Sequence, residues 1–209
     1  MPRWSWRRTP PPADTLPDAT LMARVVAGDE DAFAHLAARH ERALFNYLLR
    51  MTQDEALAAD LVQETWLRVF QSAHHYDTAR KFSTWLFTIA SHCCLDALRW
   101  RQRHAPQTTH APRWASSPVR GSDDPQEELL DKETLAAVRA AIQTLPELQR
   151  AVFILRHYHG LSYQDISDVV QCSLGTVKSR LHHAVRHLQR TLAAQGVGPQ
   201  APEDLPKAE

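Results

Sequence analysis

Positive charge and hydrogen-bonding groups are concentrated in one stretch near the carboxy terminus, "LGTVKSRLHHAVRHLQ" at residues 174–189. The stretch has one lysine, two arginines and three histidines but no acidic residue, and its apolar residues recur on one side of a helix. Side chains of these types attract phosphates and bond to base edges, and they do not make a set for covalent catalysis. The pattern predicts a helix that binds nucleic acid.

The elements that must position this helix read as a helix-turn-helix. In "LPELQRAVFILRHYHG" Pro146 suits the start of a helix, and Gly160 ends it. Ser162 and Asp165 have capping-box spacing ahead of a short helix, and residues 171–173 form a turn whose last residue caps the basic helix.

Two faces of the basic helix follow from its period. The stripe predicted to be buried comprises Leu174, Val177, Leu181, Ala184, Leu188 and Leu192. In a major groove, the side chains predicted to face base edges are Lys178, Ser179, His182 and His183, with Thr176, Arg180 and Arg186 near phosphates.

Charge is distributed unevenly along a neutral chain, in which 24 Lys and Arg balance 24 Asp and Glu. A second basic cluster lies at residues 98–104, whereas acidic residues gather at 28–33 and 121–133. This separation favours a protein that meets DNA and a protein partner at the same time.

The ordered parts read as all-α, because helix formers are abundant and no segment alternates apolar with polar residues. Prolines in residues 104–126 predict a flexible linker, which at ~3.3 Å per residue could span up to roughly 75 Å. The predicted organisation is a disordered extension (1–17), a four-helix bundle (18–103), the linker, a helix-turn-helix domain (127–195) and a disordered tail (196–209). In the bundle, Asp18, Asp54 and Ser83 are expected to cap helices, and the expected core includes Val26, Leu67 and Phe70.

The expected compartment is the cytoplasm. The 209 residues include no secretory signal and no stretch of membrane-span length. The three cysteines, Cys93, Cys94 and Cys172, lack metal spacing and indicate a reducing compartment, with a thiol switch as the less favoured reading.

Two separate stretches resemble the sigma-70 superfamily of RNA polymerase sigma factors, specifically the extracytoplasmic-function group. "LPELQRAVFILRHYHGLSYQDISDVVQCSLGTVKSRLHHAV" resembles their region four, and "GTVKSRL" is its most specific part. "AADLVQETWLRVF" and "FSTWLFTIASHCCLDALRWRQR" resemble the polymerase-docking helix and the strand-opening helix of region two. The resemblance implies a transcription initiation factor, not an enzyme, that binds core polymerase, reads minus-thirty-five and minus-ten promoter elements and helps to open the strands.

The resemblance also assigns residues to roles. Asp60, Gln63 and Glu64 fall on the face that grips the clamp helices of the polymerase's largest subunit. The residues assigned to the minus-ten element, both its duplex and its non-template single strand, are Tyr76, Arg80, Lys81, Phe82, Trp85, His92, Arg99, Arg101 and Arg103. For Phe82 and Trp85 a core role is equally expected. A sequestering anti-sigma protein is implied as a further partner, and no cofactor or metal is expected.

The sequence departs from the family pattern at three positions. Histidine stands at His92, where the family often has asparagine, and His183 and Val185 stand where it often has arginine. These departures put the details of base reading in doubt at both promoter elements.

Two other classes of protein compete with this interpretation. A stand-alone helix-turn-helix regulator would bind duplex DNA without polymerase. An enzyme or metal protein would use some of the 12 histidines, such as His183 and His187, or His157 and His159, but no carboxylate or cysteine completes a ligand set.

Overall fold

The computed structural model describes residues 16–104 and 132–197, and these residues form α-helices without any strand. The helices are α1 (Asp18–Val26), α2 (Glu30–Thr52), α3 (Glu55–Gln71), α4 (Phe82–His104), α5 (Lys132–Gln143), α6 (Glu147–His157), α7 (Tyr163–Val169) and α8 (Leu174–Ala194), with a 3-10 turn at Ala73–His75. The all-α prediction is confirmed. Residues 105–126 of the predicted linker and most of both predicted tails lie outside the described residues. Within the described part, no helix is both long enough and apolar enough to span a membrane.

Short polar side chains begin several helices where the sequence places them. The Asp54 carboxylate accepts a hydrogen bond from the backbone N–H of Leu57 (3.0 Å), which confirms the predicted cap of α3. Asp29 caps α2 in the same way, through the N–H of Ala32. Each carboxylate satisfies a backbone donor that the first helical turn leaves unbonded.

Two predicted caps are wrong. Asp18 lies inside the first turn of α1, where its carboxylate contacts Arg39 and a ring nitrogen of His40 (2.8 Å) on α2. Ser83 is the second residue of α4, which begins at Phe82. The Asp18 carboxylate therefore contacts a distant helix and does not cap α1.

A buried tyrosine joins α2 to α4 in the core of the first module. Tyr47 on α2 is fully buried, and its hydroxyl shares a 2.7 Å hydrogen bond with the Ser91 hydroxyl on α4. Its ring meets Phe87 edge-on, with the ring centroids 5.3 Å apart. Burial raises the pKa of the Tyr47 phenol far above its ordinary value, and this hydrogen bond only partly offsets the increase.

The two predicted modules pack against each other, with α2 against α6 and α4 against α7. The buried apolar residues form one continuous core through both modules. The sequence predicts two units on a long tether, and in this arrangement the units share an interface.

Four apolar residues that the sequence places in the core are exposed. They are Val26, Leu67, Phe70 and Leu174. Val26 and Leu174 lie at helix ends, where no neighbouring helix covers them, and Leu67 and Phe70 lie on the outer side of α3.

Candidate nucleic-acid interface

The basic helix α8 is held at its first turn by Ser173. The Ser173 hydroxyl accepts from the backbone N–H of Thr176 (3.2 Å) and bonds to the Thr176 hydroxyl (2.9 Å). Val177, Leu181, Ala184 and Leu188 are buried on the inner side of the helix. The predicted cap and the centre of the predicted stripe are therefore present.

The outer side of α8 presents most of the predicted DNA-contacting side chains to solvent. The exposed members are Lys178, Ser179, His182, His183 and Arg186. Thr176 and Arg180 are only half-exposed, and Nη1 of Arg180 is buried without a hydrogen-bond partner among the described residues. The side chains predicted to read bases are thus exposed to solvent, while Arg180 lies at the margin of the face.

The turn before α8 brings α7 and α8 together as predicted. Ser162 and the Asp165 carboxylate form a reciprocal capping box at the start of α7. The helix ends at Val169, and Gln171 adopts a left-handed conformation (φ 49°) that reverses the chain. The backbone N–H of Cys172 then bonds to the Ser167 carbonyl, so the pair of helices is fixed by local bonds. This geometry is a helix-turn-helix.

Three aromatic rings meet where the loop before α4 joins the helix. Tyr76 lies 5.1 Å from Trp85 and 5.9 Å from Phe82, measured between ring centroids. The Tyr76 hydroxyl donates to the Arg80 carbonyl (2.7 Å) and so shapes the loop. Phe82 is only 2% exposed, whereas Tyr76 and Trp85 are half-buried, so Phe82 supports the two rings that solvent reaches.

Basic side chains continue from this cluster along α4. His92, Arg99 and Arg103 recur at intervals of seven and four residues, so they share one exposed face of the helix. Asp96 lies on the same face, and its carboxylate is 3.6 Å from Nη1 of Arg99. Arg101 lies on another side and bonds to the Asp54 carboxylate (3.0 Å) at the start of α3. This bond and the backbone bonds of the cap together lower the pKa of Asp54 from its ordinary value, with the backbone bond to Leu57 as the largest cause.

A separate face on α3 contains the three residues predicted to bind polymerase. Asp60 and Gln63 are exposed, and Glu64 forms a 2.6 Å ion pair with Arg68 one turn later. The buried stripe of α3, Ala58, Leu61, Val62, Thr65 and Val69, faces the bundle.

Leu67 and Phe70 belong to the same outer face, and the sequence interpretation missed them. At about 100° per residue, Leu67 lies roughly opposite the centre of the buried stripe and between Asp60, Gln63 and Glu64. Leu67 is 51% exposed and Phe70 is 55% exposed. The helical period of the sequence was the signal that could have placed Leu67 and Phe70 on this outer face.

Trp100 is a second missed feature, at the basic end of α4. It is 58% exposed and stacks on the ring of His104, with the ring centroids 4.7 Å apart. Its neighbours in the predicted minus-ten set are Arg99 and Arg101.

No group of three or more His, Cys, Asp or Glu side chains within the described residues is arranged to hold a metal ion. His187, one of the histidines considered as a ligand, shares a 2.8 Å hydrogen bond with the Thr144 hydroxyl. Cys93 and Cys94 are buried in α4, and burial raises the pKa of both thiols, that of Cys94 to about 12. Thiols of this kind are poor nucleophiles.

These features define an all-helical DNA-binding protein with a helix-turn-helix and a second, aromatic and basic surface on a separate bundle. Residues 36–104 match the family model for sigma-70 region 2, and residues 135–188 match the model for sigma-70 region 4.

Two relatives align with most of the chain. The chain is 31% identical over 180 residues to the RNA polymerase sigma-H factor of Pseudomonas aeruginosa, an alignment that covers 84% of this chain and 93% of that protein. It is 37% identical over 181 residues to the ECF RNA polymerase sigma factor SigL of Mycobacterium tuberculosis, covering 84% and 99%. The chain belongs to the extracytoplasmic-function family of RNA polymerase sigma factors, which are transcription initiation factors and not enzymes.

Solved structures show the same fold. The sigma factor RpoE of Bartonella quintana, in a co-crystal structure with the anti-sigma factor NepR, is similar at a TM-score of 0.60 with 25% identity, covering 77% of this chain and 96% of that one. CnrH in complex with the cytosolic domain of CnrY is similar at a TM-score of 0.63 with 24% identity, covering 85% and 97%.

Proposed function

We propose that this sigma factor directs core RNA polymerase to a two-part promoter, with α8 at the upstream element and α4 with its preceding loop at the nearer one. The observation that carries the proposal is the exposed face of α8, which has no acidic residue and belongs to the second helix of the helix-turn-helix. An acid-free face suits a recognition helix in a major groove, because its cationic and neutral donors reach phosphates and base edges without repulsion.

At the upstream element, α8 presents its amino-terminal half to base edges. Lys178 and Ser179 supply a cationic donor and a hydroxyl, and His182 and His183 supply ring nitrogens that serve as donors or acceptors. Arg186, with Thr176 and Arg180 at the margin, contacts phosphates. His183 and Val185 stand where the family often has arginine, so we expect base reading here to differ in detail from the family's usual reading.

At the nearer element, the loop and α4 hold bases that leave the duplex. Tyr76 and Trp85 offer ring faces for stacking, which stabilises a captured base by roughly 1–3 kcal/mol. Arg80 and Lys81 flank these rings, and the face with His92, Arg99 and Arg103 follows the phosphates. Strand opening in this scheme is non-covalent, since captured bases and polymerase contacts supply its free energy.

The outer face of α3 binds the polymerase clamp helices. Asp60, Gln63 and Glu64 make the first part of this face polar, and Leu67 and Phe70 make the part that follows apolar. Phe70 also packs edge-on against Phe33 of α2, with the ring centroids 5.4 Å apart. An apolar patch beside polar residues suits a protein–protein interface, in which buried apolar side chains contribute most of the binding energy and polar contacts contribute orientation.

A gel-shift experiment with and without core polymerase separates this function from a stand-alone regulator. We expect the chain alone to bind promoter fragments weakly and the holoenzyme to bind them tightly. Run-off transcription from a library of genomic fragments then identifies the promoters. Tight binding of duplex DNA by the chain alone, with no transcription from any fragment, would establish the regulator instead.

Localisation and a further protein partner complete the proposal. We place the protein in the cytoplasm, where chromosomal DNA and polymerase meet. The co-crystal of Bartonella quintana RpoE with NepR supports an anti-sigma protein as a partner of this chain as well.

A further inference from the structure

The indole of Trp100, near the end of α4, is the most exposed large apolar side chain in the described part of the chain. Tryptophan side chains are highly buried on average in folded proteins. Exposure alone assigns no role to Trp100, because single apolar residues are common on protein surfaces. The groups that support the indole and the charges that surround it are more informative.

The ring of His104 supports the indole from one side. The two rings are nearly parallel, with 20° between their planes and 4.7 Å between their centroids. Nδ1 of His104 lies 2.9 Å from the carbonyl oxygen of Trp100, so the carbonyl accepts the hydrogen of this ring nitrogen. Because α4 itself places both rings, little side-chain freedom remains to be lost when a ligand covers them.

The side chains around Trp100 are mainly cationic. Arg99 is paired with Asp96, and Arg101 is paired with Asp54, through exposed contacts that solvent screens. Arg103 donates to the backbone carbonyl of Arg99, and among the described residues no carboxylate pairs with it. An aromatic ring beside guanidinium groups suits a polyanion such as DNA, since the cations attract phosphates and the ring covers apolar atoms.

Trp100 lies at the side of the basic face of α4. At about 100° per residue, it lies roughly 60° around the helix from Arg103 and roughly 80° from His92. We assign that face to phosphates, which position a protein on DNA without identifying the sequence. A large side chain next to the phosphate contacts reaches the sugars and base edges of the adjoining groove.

The length of α4 separates Trp100 from the rings assigned to captured bases. Trp85 and Trp100 are 15 residues apart on one helix, which is about 22 Å at 1.5 Å per residue. This distance corresponds to roughly six base pairs of duplex. The chain continues from the end of α4 to the module that we assign to the upstream element, so Trp100 lies on the upstream side, over paired DNA.

We propose that Trp100, supported by His104, makes an apolar contact with the duplex just upstream of the minus-ten element, at thymine methyl groups or deoxyribose carbons. The inference rests on the proposed function, because it requires α4 to lie on promoter DNA. It gives α4 a third kind of contact, beside the stacking of unpaired bases and the attraction of phosphates. The paired DNA next to the minus-ten element is then part of what this chain recognises.

A groove beside Trp100 provides the main alternative. The groove runs between α4 and the start of α3, and its lining includes Leu57, Asp60 and Ala97. Asp60 belongs to the face that we assign to polymerase, so a segment of polymerase is the competing ligand of the indole. The affinities for polymerase and for DNA are therefore measured separately.

The test uses holoenzyme and a promoter identified by run-off transcription. One probe is the non-template strand of the minus-ten element alone, and the other adds about ten base pairs of upstream duplex, one helical turn, which stops short of the upstream element. We expect Trp100→Ala to bind the partly duplex probe about four- to tenfold more weakly than the wild type, since burial of a single methyl group is worth about fourfold. Its affinity for the single strand should be unchanged.

Two variants serve as controls for this comparison. Trp100→Phe keeps a flat apolar ring and should bind both probes within about twofold of the wild type. Val26→Ala truncates another half-exposed apolar side chain, on α1, and should leave both affinities unchanged.

Salt dependence distinguishes an apolar contact from a charged one. Trp100→Ala should keep the wild-type slope of log affinity against log salt concentration, whereas Arg103→Ala should reduce that slope by about one. Replacing thymine by deoxyuridine in the duplex part removes only methyl groups. A loss in the wild type that Trp100→Ala does not show assigns the contact to the base edge, and no loss assigns it to the sugars.

Equal affinity of Trp100→Ala and the wild type for the partly duplex probe would overturn the proposal, as would an equal loss on the single strand. Reduced affinity of Trp100→Ala for core polymerase would assign the indole to polymerase instead. Failure of the wild type to transcribe from any fragment would reject the proposed function and this inference together. Transcription that depends on promoter sequence, with Trp100→Ala unimpaired on the duplex, would reject the inference alone.

Discussion

Truncation of Leu67 tests whether the outer face of α3 is the polymerase interface. Leu67 is 51% exposed in the free chain, so about half of its side chain remains to be buried by a partner. Complete burial of a leucine contributes about 1.5–3 kcal/mol, and half of that is roughly 0.8–1.5 kcal/mol. Since each 1.4 kcal/mol is a factor of ten, Leu67→Ala should weaken binding to core polymerase about four- to twelvefold.

Fluorescence anisotropy of the end-labelled chain with purified core polymerase measures this change. Val26→Ala is the matched control, because Val26 is also apolar and half-exposed (54%) but lies on α1. Thermal unfolding should be unchanged in both variants, since neither side chain is in the core. Wild-type affinity in Leu67→Ala, or an equal loss in Val26→Ala, would refute the assignment of this face.

Three further predictions address DNA reading and stability. In footprints of the holoenzyme, Lys178→Ala combined with His182→Ala should reduce protection of the upstream element at least tenfold, because base contacts contribute about 1–3 kcal/mol each; unaltered protection would count against α8 as the reading helix. Tyr47→Phe should lower the free energy of unfolding in urea by about 1–3 kcal/mol, since it leaves the Ser91 hydroxyl buried without its partner; an unchanged midpoint would contradict this. The pKa of Asp54 is lower in the folded protein than its ordinary value of 3.8, so the stability it contributes is present above that pH and is lost as pH falls through the folded pKa. Asp54→Ala should therefore be less stable by about 0.5–2 kcal/mol at neutral pH but lose less on acidification, and parallel acid-unfolding curves would contradict the capping role.

Local signals in the sequence predicted much of the helix-turn-helix. The capping box of Ser162 and Asp165, the turn ending at Ser173 and the buried residues Val177 and Leu181 are all found where the pattern puts them. Each depends on contacts within a few residues of the chain, and such contacts repeat in the same form wherever the local sequence allows them.

The same reasoning failed where a distant part of the chain decides the outcome. Asp18 has a side chain that could cap a helix, yet its carboxylate contacts Arg39 and His40 on α2. Leu67 and Phe70 are large apolar residues of the kind that fill cores, yet the bundle buries the opposite side of α3. The roles of the predicted DNA and polymerase residues and the limits of the domains stay predictions, to be decided by the measurements above.

The amino-acid sequence by itself determined the helical period, the caps of α3, α7 and α8, the acid-free face of the basic helix and the family. Only the tertiary structure decided that α3 turns Leu67 outward and that Asp165 reaches Lys81 in the other module. Periodicity specifies the faces of each helix because it acts over a few residues. Which faces meet depends on packing between segments far apart in the chain, where many small contacts are satisfied together.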